Sequence, residues 1–391
     1  MLPLMLVIAG AVLGWLYLLC RVTNRVASLA DRYVRLSFVG YGLMLSAPLA
    51  LVMVTWYFGR YAQGVLGMDW RALGHDPWAR AGISIGWLVL VGELLRRWVG
   101  ERRRVRALRG MVQLQAITRH SFRKLFIPRN TPRHTVYALA SRVIGNYIDT
   151  LAVFQYHLRL PGWPATLARL RCVQLTDIHY THALPRGYYE QVVALTNALA
   201  PDLIFLTGDY GHSRGGVRTL STLLAGLRAP HGVFFTLGNH DVWHDPTYIA
   251  ATLADQGFTY LGGRMQAVAV AGGPVYLAGT DAPWLRHDVR ALVQHVPAGA
   301  ACIVLSHHPD NARRARGTAA RLVLSGHTHG GQIALPGLGP LLVPSAHGSK
   351  HASGFVRYDQ TLLYVNYGLS LSLPFRLLCP PEIACFDIGG D

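Results

Sequence analysis

The sequence predicts an α/β domain behind an all-α transmembrane module, on three observations. Six short apolar runs in the C-terminal part each end in a small polar cluster. Helix-length spacers separate several of them, which is the rhythm of an α/β sheet. The first hundred residues instead carry three long, nearly uncharged runs. At 391 residues the chain has room for one or two domains.

The apolar runs come first in the chain. Met1 to Cys20, Phe38 to Phe58 and Ala81 to Gly100 are each about long enough to cross a bilayer. They explain a mean hydropathy of +0.25 with only 15% charged residues. The first run is not a cleaved signal peptide, because no basic residue precedes it and no small-residue cleavage site follows. The third holds Glu93, which weakens it as a span, although Arg97 lies one helical turn away and can pair with it. Residues 1–100 are therefore read as a module of about three transmembrane helices.

The net charge of +17 is unevenly placed. Up to Gly145 there are 20 Lys+Arg against 5 Asp+Glu; the remainder has 17 against 15. The basic character belongs to the membrane-proximal third. A basic channel for long nucleic acid in the C-terminal part is not supported. The Arg96 to Arg133 cluster reads as attraction to anionic membrane lipids and as a topology signal together. Arg21, Arg25, Arg32 and Arg35 follow the first run, and a dense basic segment follows the third. Alternation across three spans puts both, and the C-terminal domain, on the cytoplasmic side. If the third run does not span, the orientation reverses.

Residues 101–148 read as a basic juxtamembrane linker. Arg102 to Arg109 suits an interfacial helix, and Pro128 and Pro132 mark irregular chain. The C-terminal domain is placed at 149–391, with its boundary near Ile144 to Asp149. Five scattered cysteines with no metal-type spacing give no disulfide framework. Cys172 and Cys302 fall in strand-like runs as buried thiols.

The strands then follow in order. Arg171 to Leu175 runs into Asp177-Ile178-His179, Leu203 to Leu206 into Gly208-Asp209, and Val233 to Leu237 into Gly238-Asn239-His240-Asp241. Val275 to Ala278 runs into Gly279-Thr280-Asp281. Cys302 to Leu305 runs into His307-His308-Pro309, and Leu322 to Leu324 into Gly326-His327-Thr328-His329. Helical spacers are expected at Gly187 to Ala200, Val217 to Leu227 and Pro246 to Gln256. Sites of open α/β sheets lie at strand ends of this kind. Together five of these ends offer Asp177, His179, Asp209, Asn239, His307, His327 and His329. These are ligand types of a mixed nitrogen and oxygen site for divalent metal. Two ions about 3.5–4 Å apart can share a water and clamp both ends of an in-line displacement, which suits phosphate esters.

The ordered motifs DIH, GD, GNHD, HHP and GHTH resemble those of the calcineurin-like metallophosphoesterase superfamily, over roughly residues 150 to 388. The extended run from Gly326 to Gly339 and the tail from Asn366 to Ala384 are similar to a bacterial branch with membrane-associated phosphodiesterases. The resemblance implies a four-layer αββα sandwich. It also implies that Asp177, His179, Asp209 and His329 hold one metal ion, and that Asp209, Asn239, His307 and His327 hold the other, with Asp209 bridging. His307 is chosen over His308 because the family pattern is His-x-Pro. His240 would be the non-ligand histidine at the leaving group, with a metal-bridging hydroxide as nucleophile and no covalent intermediate. Mn, Fe or Zn suit the ligands, and Mn is the ion to supply in vitro.

Two departures stand out. Several branches carry an acid three residues after the bridging Asp, orienting the catalytic histidine; here His212 occupies that place, and Asp241 is the remaining candidate. The run at 279–282 keeps one acid, Asp281, where relatives often have two. His182, His231, His244, His347 and His351 read as surface or supporting residues. Trp243 and Arg376 are candidates for substrate contact, against ordinary packing for the first and anchoring of the C-terminal tail for the second.

The reading is a membrane-anchored hydrolase of a phosphodiester or pyrophosphate in a bacterial inner membrane. A lipid-linked substrate such as a UDP-diacylglucosamine-like precursor is one concrete possibility suggested by relatives. A nuclease or cyclic-nucleotide phosphodiesterase, and a non-catalytic membrane sensor or scaffold, are the alternatives.

Overall fold

The computed structural model describes residues 2–30, 77–126, 139–167, 169–182, 184–281, 287–340, 342–371 and 375–389. Two helices open it, α1 (Leu2–Ala30) and α2 (Pro77–Leu108). They cross with backbones touching, because Gly10, Gly14 and Gly86 stand at the crossing. A Cβ on Gly14 would overlap the Gly86 carbonyl. Trp15 Nε1 donates to the Gly82 carbonyl at 2.9 Å, and Trp87 Nε1 to that of Val7 at 2.8 Å. Glu93 is buried in the pair. It accepts from Tyr17 at 2.7 Å and from Arg97 Nε at 2.7 Å.

Among the described residues no helix is long and apolar enough to cross a membrane. The expectation of three spans is corrected accordingly. In α2 the uncharged stretch runs only from residue 81 to residue 92 before Glu93, Arg96 and Arg97 interrupt it. At 1.5 Å per residue that is about 18 Å, against a hydrocarbon core of about 30 Å. The second run, Phe38 to Phe58, lies outside the described residues. So do Pro128 and Pro132. The basic stretch after Gly100 is not a separate interfacial helix; it continues α2 without a break.

The linker also differs from expectation. Residues 112–121 form a ten-residue strand, β1 (Val112–Ser121), paired antiparallel with β2 (Thr150–Arg159). Its sequence, Val-Gln-Leu-Gln-Ala-Ile, alternates only in part, and its side chains are mostly exposed, so hydrophobic periodicity gave little sign of it.

The remaining strands are β3 (Leu170–Leu175), β4 (Leu203–Thr207), β5 (Val233–Thr236), β6 (Thr259–Tyr260), β7 (Arg264–Val270), β8 (Gly273–Thr280), β9 (Ala301–Ser306), β10 (Leu322–Ser325), β11 (Ala334–Leu335), β12 (Gly339–Pro340), β13 (Gly354–Tyr358), β14 (Thr361–Val365) and β15 (Glu382–Gly389). One sheet runs β1-β2-β15-β3-β4-β5-β6 and the other β13-β14-β10-β9-β8-β7. The strands read from sequence are all present. β3, β4 and β5 are mutually parallel, and so are β8, β9 and β10.

The two sheets face each other across an apolar layer that includes Leu203, Phe205, Phe234, Leu277, Ile303 and Leu324. Alternation along each strand supplies it, one face inward to the partner sheet and one outward to helices. Outside the first sheet pack α3 (Arg186–Ala198), α4 (Arg214–Leu224), α5 (Asn239–His244) and α6 (Pro246–Ala254). Their buried residues include Tyr188, Val192, Leu220 and Leu253. Outside the second sheet lie the short α7 (Val289–Val293) and α8 (Ala312–Ala315), with Val289, Val293 and Ala312 buried. The layers are therefore helix, sheet, sheet, helix. All five cysteines are free and buried.

Candidate metal centre

Parallel strands from both sheets end on the same side, and the polar clusters at those ends meet. Asp177 and His179 follow β3, Asp209 follows β4, and Asn239 opens α5 after β5. His307 follows β9, while His327 and His329 follow β10. Backbone bonds hold the ends together. Asp177 N–H donates to the Gly208 carbonyl, His179 N–H to that of Asp209, and Gly326 N–H to that of His307. Buried Gln174 spans the two sheets, donating to Thr207 Oγ1 at 2.8 Å and to the Ser325 carbonyl at 3.1 Å.

The side chains form an unbroken series. His329 Nε2 lies 3.3 Å from Asp177 Oδ1, which is 4.0 Å from His179 Nε2. Asp209 Oδ2 sits between two imidazoles, 3.3 Å from His179 Nε2 and 3.2 Å from His307 Nε2. Asn239 Oδ1 likewise sits between two, 3.1 Å from His307 Nε2 and 2.8 Å from His327 Nδ1. Asp177, His179 and His329 form one metal-sized group; Asp177, Asp209 and His307 form another.

The close approach depends on glycine and on unusual backbone. A Cβ on Gly238 would overlap Asp209 Oδ1, and one on Gly326 would overlap Asp177 Oδ2. Among the described residues nine other than glycine have positive φ, and Asp177, His179, Asp209, His327 and His329 are five of them. Asp and His tolerate this region better than most side chains. Each such residue still costs of order 1–3 kcal/mol, and such costs concentrate at functional sites.

The chemistry of the donor set fits divalent metal. His307 Nδ1 donates to the Thr207 carbonyl at 2.7 Å, which turns Nε2 toward Asp209 and Asn239, where a metal ion would replace its proton. His179 Nε2 is buried with no hydrogen-bond partner among the described residues. A buried polar nitrogen in that state is costly unless something binds it. Burial opposes a charge on His307, but Asp209 and Asp177 outweigh it and push the imidazole up to about 10. An excess of carboxylate charge therefore awaits a cation.

The comparisons agree with this geometry. Residues 170–331 match the model of the calcineurin-like phosphoesterase family. An uncharacterised metallophosphoesterase of Bacillus subtilis, YkuE, is 33% identical over 229 residues, covering 56% of this chain and 78% of the relative. The chain belongs to the calcineurin-like phosphoesterases. As a phosphoesterase of this family it is a hydrolase of phosphoric esters. The Escherichia coli phosphodiesterase YaeI is 28% identical over 261 residues, 62% of this chain and 94% of the relative. The UDP-2,3-diacylglucosamine pyrophosphatase LpxG of Chlamydia trachomatis is 28% identical over 294 residues, 60% and 88% respectively.

Around the seven candidate ligand positions of the phosphoesterase, the structure decides what the neighbouring side chains do. His240 stands at the mouth, half-buried. Its ring centre is 4.8 Å from that of His179, 5.0 Å from that of His212 and 4.9 Å from that of Trp243. Burial and the neighbouring histidines hold it neutral, pushed down to about 3 despite Asp209. Asp241 does not orient it. That carboxylate accepts the N–H groups of Asp209 at 2.7 Å, Tyr210 at 2.9 Å and Gly238 at 2.8 Å, locking the GD loop to the GNHD loop. His212 turns instead to His179, with Nε2 3.1 Å from His179 Nδ1.

Arg376 is fully buried and does not reach substrate. Its guanidinium donates to the carbonyls of Ser370 at 2.9 Å, Tyr367 at 2.8 Å, and Gly368 and His329 at 3.3 Å. It ties the C-terminal tail beneath a metal-site histidine, the anchoring role. Trp243, half-buried beside His240, stays at the mouth. The sequence reading passed over Gln174 and the structural part of Asp281, which accepts the Leu237 N–H at 2.8 Å and the Tyr260 hydroxyl. A lone Gln inside a strand carries no signal that it bridges two sheets.

Proposed function

We propose that this phosphoesterase hydrolyses a phosphodiester or pyrophosphate with two divalent ions, and that its substrate is lipid-linked. The observation that carries the reading is the placement of Asp209 Oδ2 between His179 Nε2 and His307 Nε2, at 3.3 and 3.2 Å. One carboxylate thereby serves two neighbouring sets of donors. Asp177, His179, Asp209 and His329 would hold one ion; Asp209, Asn239, His307 and His327 the other. Such a pair would supply Lewis-acid polarisation of phosphoryl oxygens and a water of lowered pKa. Mn, Fe and Zn all suit the donors.

The chain's own groups do the rest. His240 faces the opening and is placed to protonate or stabilise the leaving oxygen. Its N–H donates to Asp209 Oδ1 at 2.9 Å, so its backbone is fixed to the bridging carboxylate. Trp243 packs against the His240 ring, with ring centres 4.9 Å apart.

Membrane attachment is part of the same reading. Gly10 and Gly14 form the small-xxx-small spacing that lets two helices meet closely. α1 and α2 expose Leu6, Val22 and Leu88. Attachment to the cytoplasmic face of a bacterial inner membrane, through anionic lipid at the basic end of α2, fits the charge distribution. The relative named as a UDP-2,3-diacylglucosamine pyrophosphatase makes such a lipid precursor the first substrate to try.

The test is hydrolysis of bis(p-nitrophenyl) phosphate and p-nitrophenyl phosphate by the full chain, with Mn added or chelated, beside Asp209→Ala. Metal-dependent cleavage of the diester, lost in the variant, is expected. Metal bound in stoichiometric amount with neither ester cleaved overturns the catalytic reading. Assays in inverted and right-side-out vesicles test the orientation; turnover only from the periplasmic face overturns it.

A further inference from the structure

α2 carries Val91, Leu94, Leu95 and Trp98 at helical spacing i, i+3, i+4 and i+7, one continuous stripe. Such a stripe normally packs against the protein body. Here the four side chains remain 45%, 39%, 57% and 55% exposed. They line one wall of a cleft of about 1200 Å³ whose opposite wall includes Leu335, Pro336 and Leu378. Pockets for drug-sized ligands run to about 300–1,000 Å³, so this one has room for a long chain.

The cleft is not uniformly apolar. Arg96, Arg97, Arg103, Arg104, Lys350 and Arg357 border it, against Glu101 as its one acid among the lining residues. Glu93 occupies Arg96 and Arg97. Arg103, by contrast, has no ion pair or hydrogen bond among the described residues and is exposed. An apolar slot with a cationic end is complementary to an anionic amphiphile.

The cleft also shares a wall with the metal centre. Arg104 Nη2 donates to the Ser353 carbonyl at 3.2 Å, which brings α2 onto the loop at 348–353. The next carbonyl back, that of Ala352, accepts from Thr328 Oγ1 at 2.7 Å. Thr328 lies between His327 and His329. Lys350 stands on this same loop.

We propose that the cleft holds the acyl chain of the substrate, an anionic lipid phosphoester, with the chain along the α2 stripe, an anionic group of the head at Arg103 and Lys350, and the scissile phosphate at the metal centre. This rests on the phosphoesterase reading above and assigns its substrate class to a particular surface.

The experiment uses the full chain in phosphatidylcholine nanodiscs and p-nitrophenyl alkyl phosphates from methyl to dodecyl. Release of p-nitrophenolate is followed in wild type and Leu95→Glu, an exposed position where folding is not at stake. In parallel, a dodecyl phosphate with a diazirine at the chain end is photolysed and the labelled peptides mapped, with inorganic phosphate and unlabelled dodecyl phosphate as competitors. The expected result is that kcat/KM climbs by about two- to fourfold per methylene and that Leu95→Glu flattens the slope. Label should fall on the peptides around Pro336 and Ser353, displaced by dodecyl phosphate and not by inorganic phosphate. A slope shared by both proteins reflects partitioning into the bilayer and overturns the proposal, as does label confined to other peptides. Displacement by inorganic phosphate alone marks a free-phosphate site and also overturns it. Absence of cleavage at every length, with the cleft labelled, overturns the phosphoester substrate and leaves a lipid site.

Discussion

At the scale of single residues, the centre depends on groups that never touch metal. His212 reaches His179 Nδ1 at 3.1 Å and so fixes which nitrogen His179 turns inward. Partners of this kind are worth about 10–100-fold in metal affinity. His212→Ala is therefore expected to weaken Mn binding by that factor in a competition titration with a chelator. Unchanged affinity would mean that packing alone orients His179. Arg376 works by hydrogen bonding. Its removal leaves several buried carbonyls without donors, at about 1–3 kcal/mol each. Arg376→Met should lower stability by at least about 3 kcal/mol in denaturant unfolding. Arg376→Lys should recover little, because an ammonium cannot copy the planar fork. Full recovery by Lys would show that charge, not geometry, is what the tail requires.

At the scale of elements, β15 joins the tail to the first sheet between β2 and β3, and its first residue is a buried acid. Burial pushes Glu382 up to about 7, although Tyr364, the Tyr367 N–H and Arg376 pull the other way. An unfolded Glu titrates near 4.3. Because the folded value is the higher one, the stabilisation is complete below about pH 4.3 and is lost as the pH rises through 7. By pH 8 the ionised carboxylate costs about 3–4 kcal/mol. Glu382→Gln should then show a flatter dependence of Tm on pH between 5 and 8, measured with chelator present so that metal ligands do not contribute. Equal slopes would mean that Tyr364 and Arg376 keep the carboxylate ionised throughout. β1 carries a different lesson at this scale. It is largely exposed and pairs through backbone bonds to β2, so its existence depends on a partner that local sequence does not reveal.

At the scale of the whole molecule, metal ions held at the proposed site would join the two sheets. Asp177, His179, Asp209 and Asn239 come from strand ends of one sheet, and His307, His327 and His329 from the other. A ligand that binds only the folded arrangement stabilises by about 2.7 kcal/mol at 100 times its Kd. Adding Mn should raise Tm and chelation should lower it, with Asp209→Asn insensitive to both. A Tm indifferent to Mn in the wild-type chain would argue against a site shared by the sheets. The helix pair adds a second junction. Asn24 Oδ1 accepts the Val343 N–H at 2.8 Å, and Arg97 donates to the Pro340 carbonyl at 3.3 Å. The helices are therefore docked on the catalytic domain rather than tethered to it loosely.

The sequence by itself determined which residues meet at the site. Each of the seven donors follows an apolar run whose length reads as a buried strand, and the resemblance to the calcineurin-like phosphoesterases supplied the sandwich and the choice of His307 over His308. Local pattern suffices there because strand burial is written into consecutive residues. Only the tertiary structure decided what each supporting residue does. His212 turned to His179 rather than His240, Asp241 was consumed by three backbone N–H groups, and Arg376 went beneath the tail rather than to the mouth. Those outcomes depend on which carbonyls and imidazoles arrive from distant segments, and no spacing along the chain encodes that. The same holds for the stripe on α2. Its periodicity was present in the sequence, but that it faces an open, basic-ended cleft follows from how the helix docks.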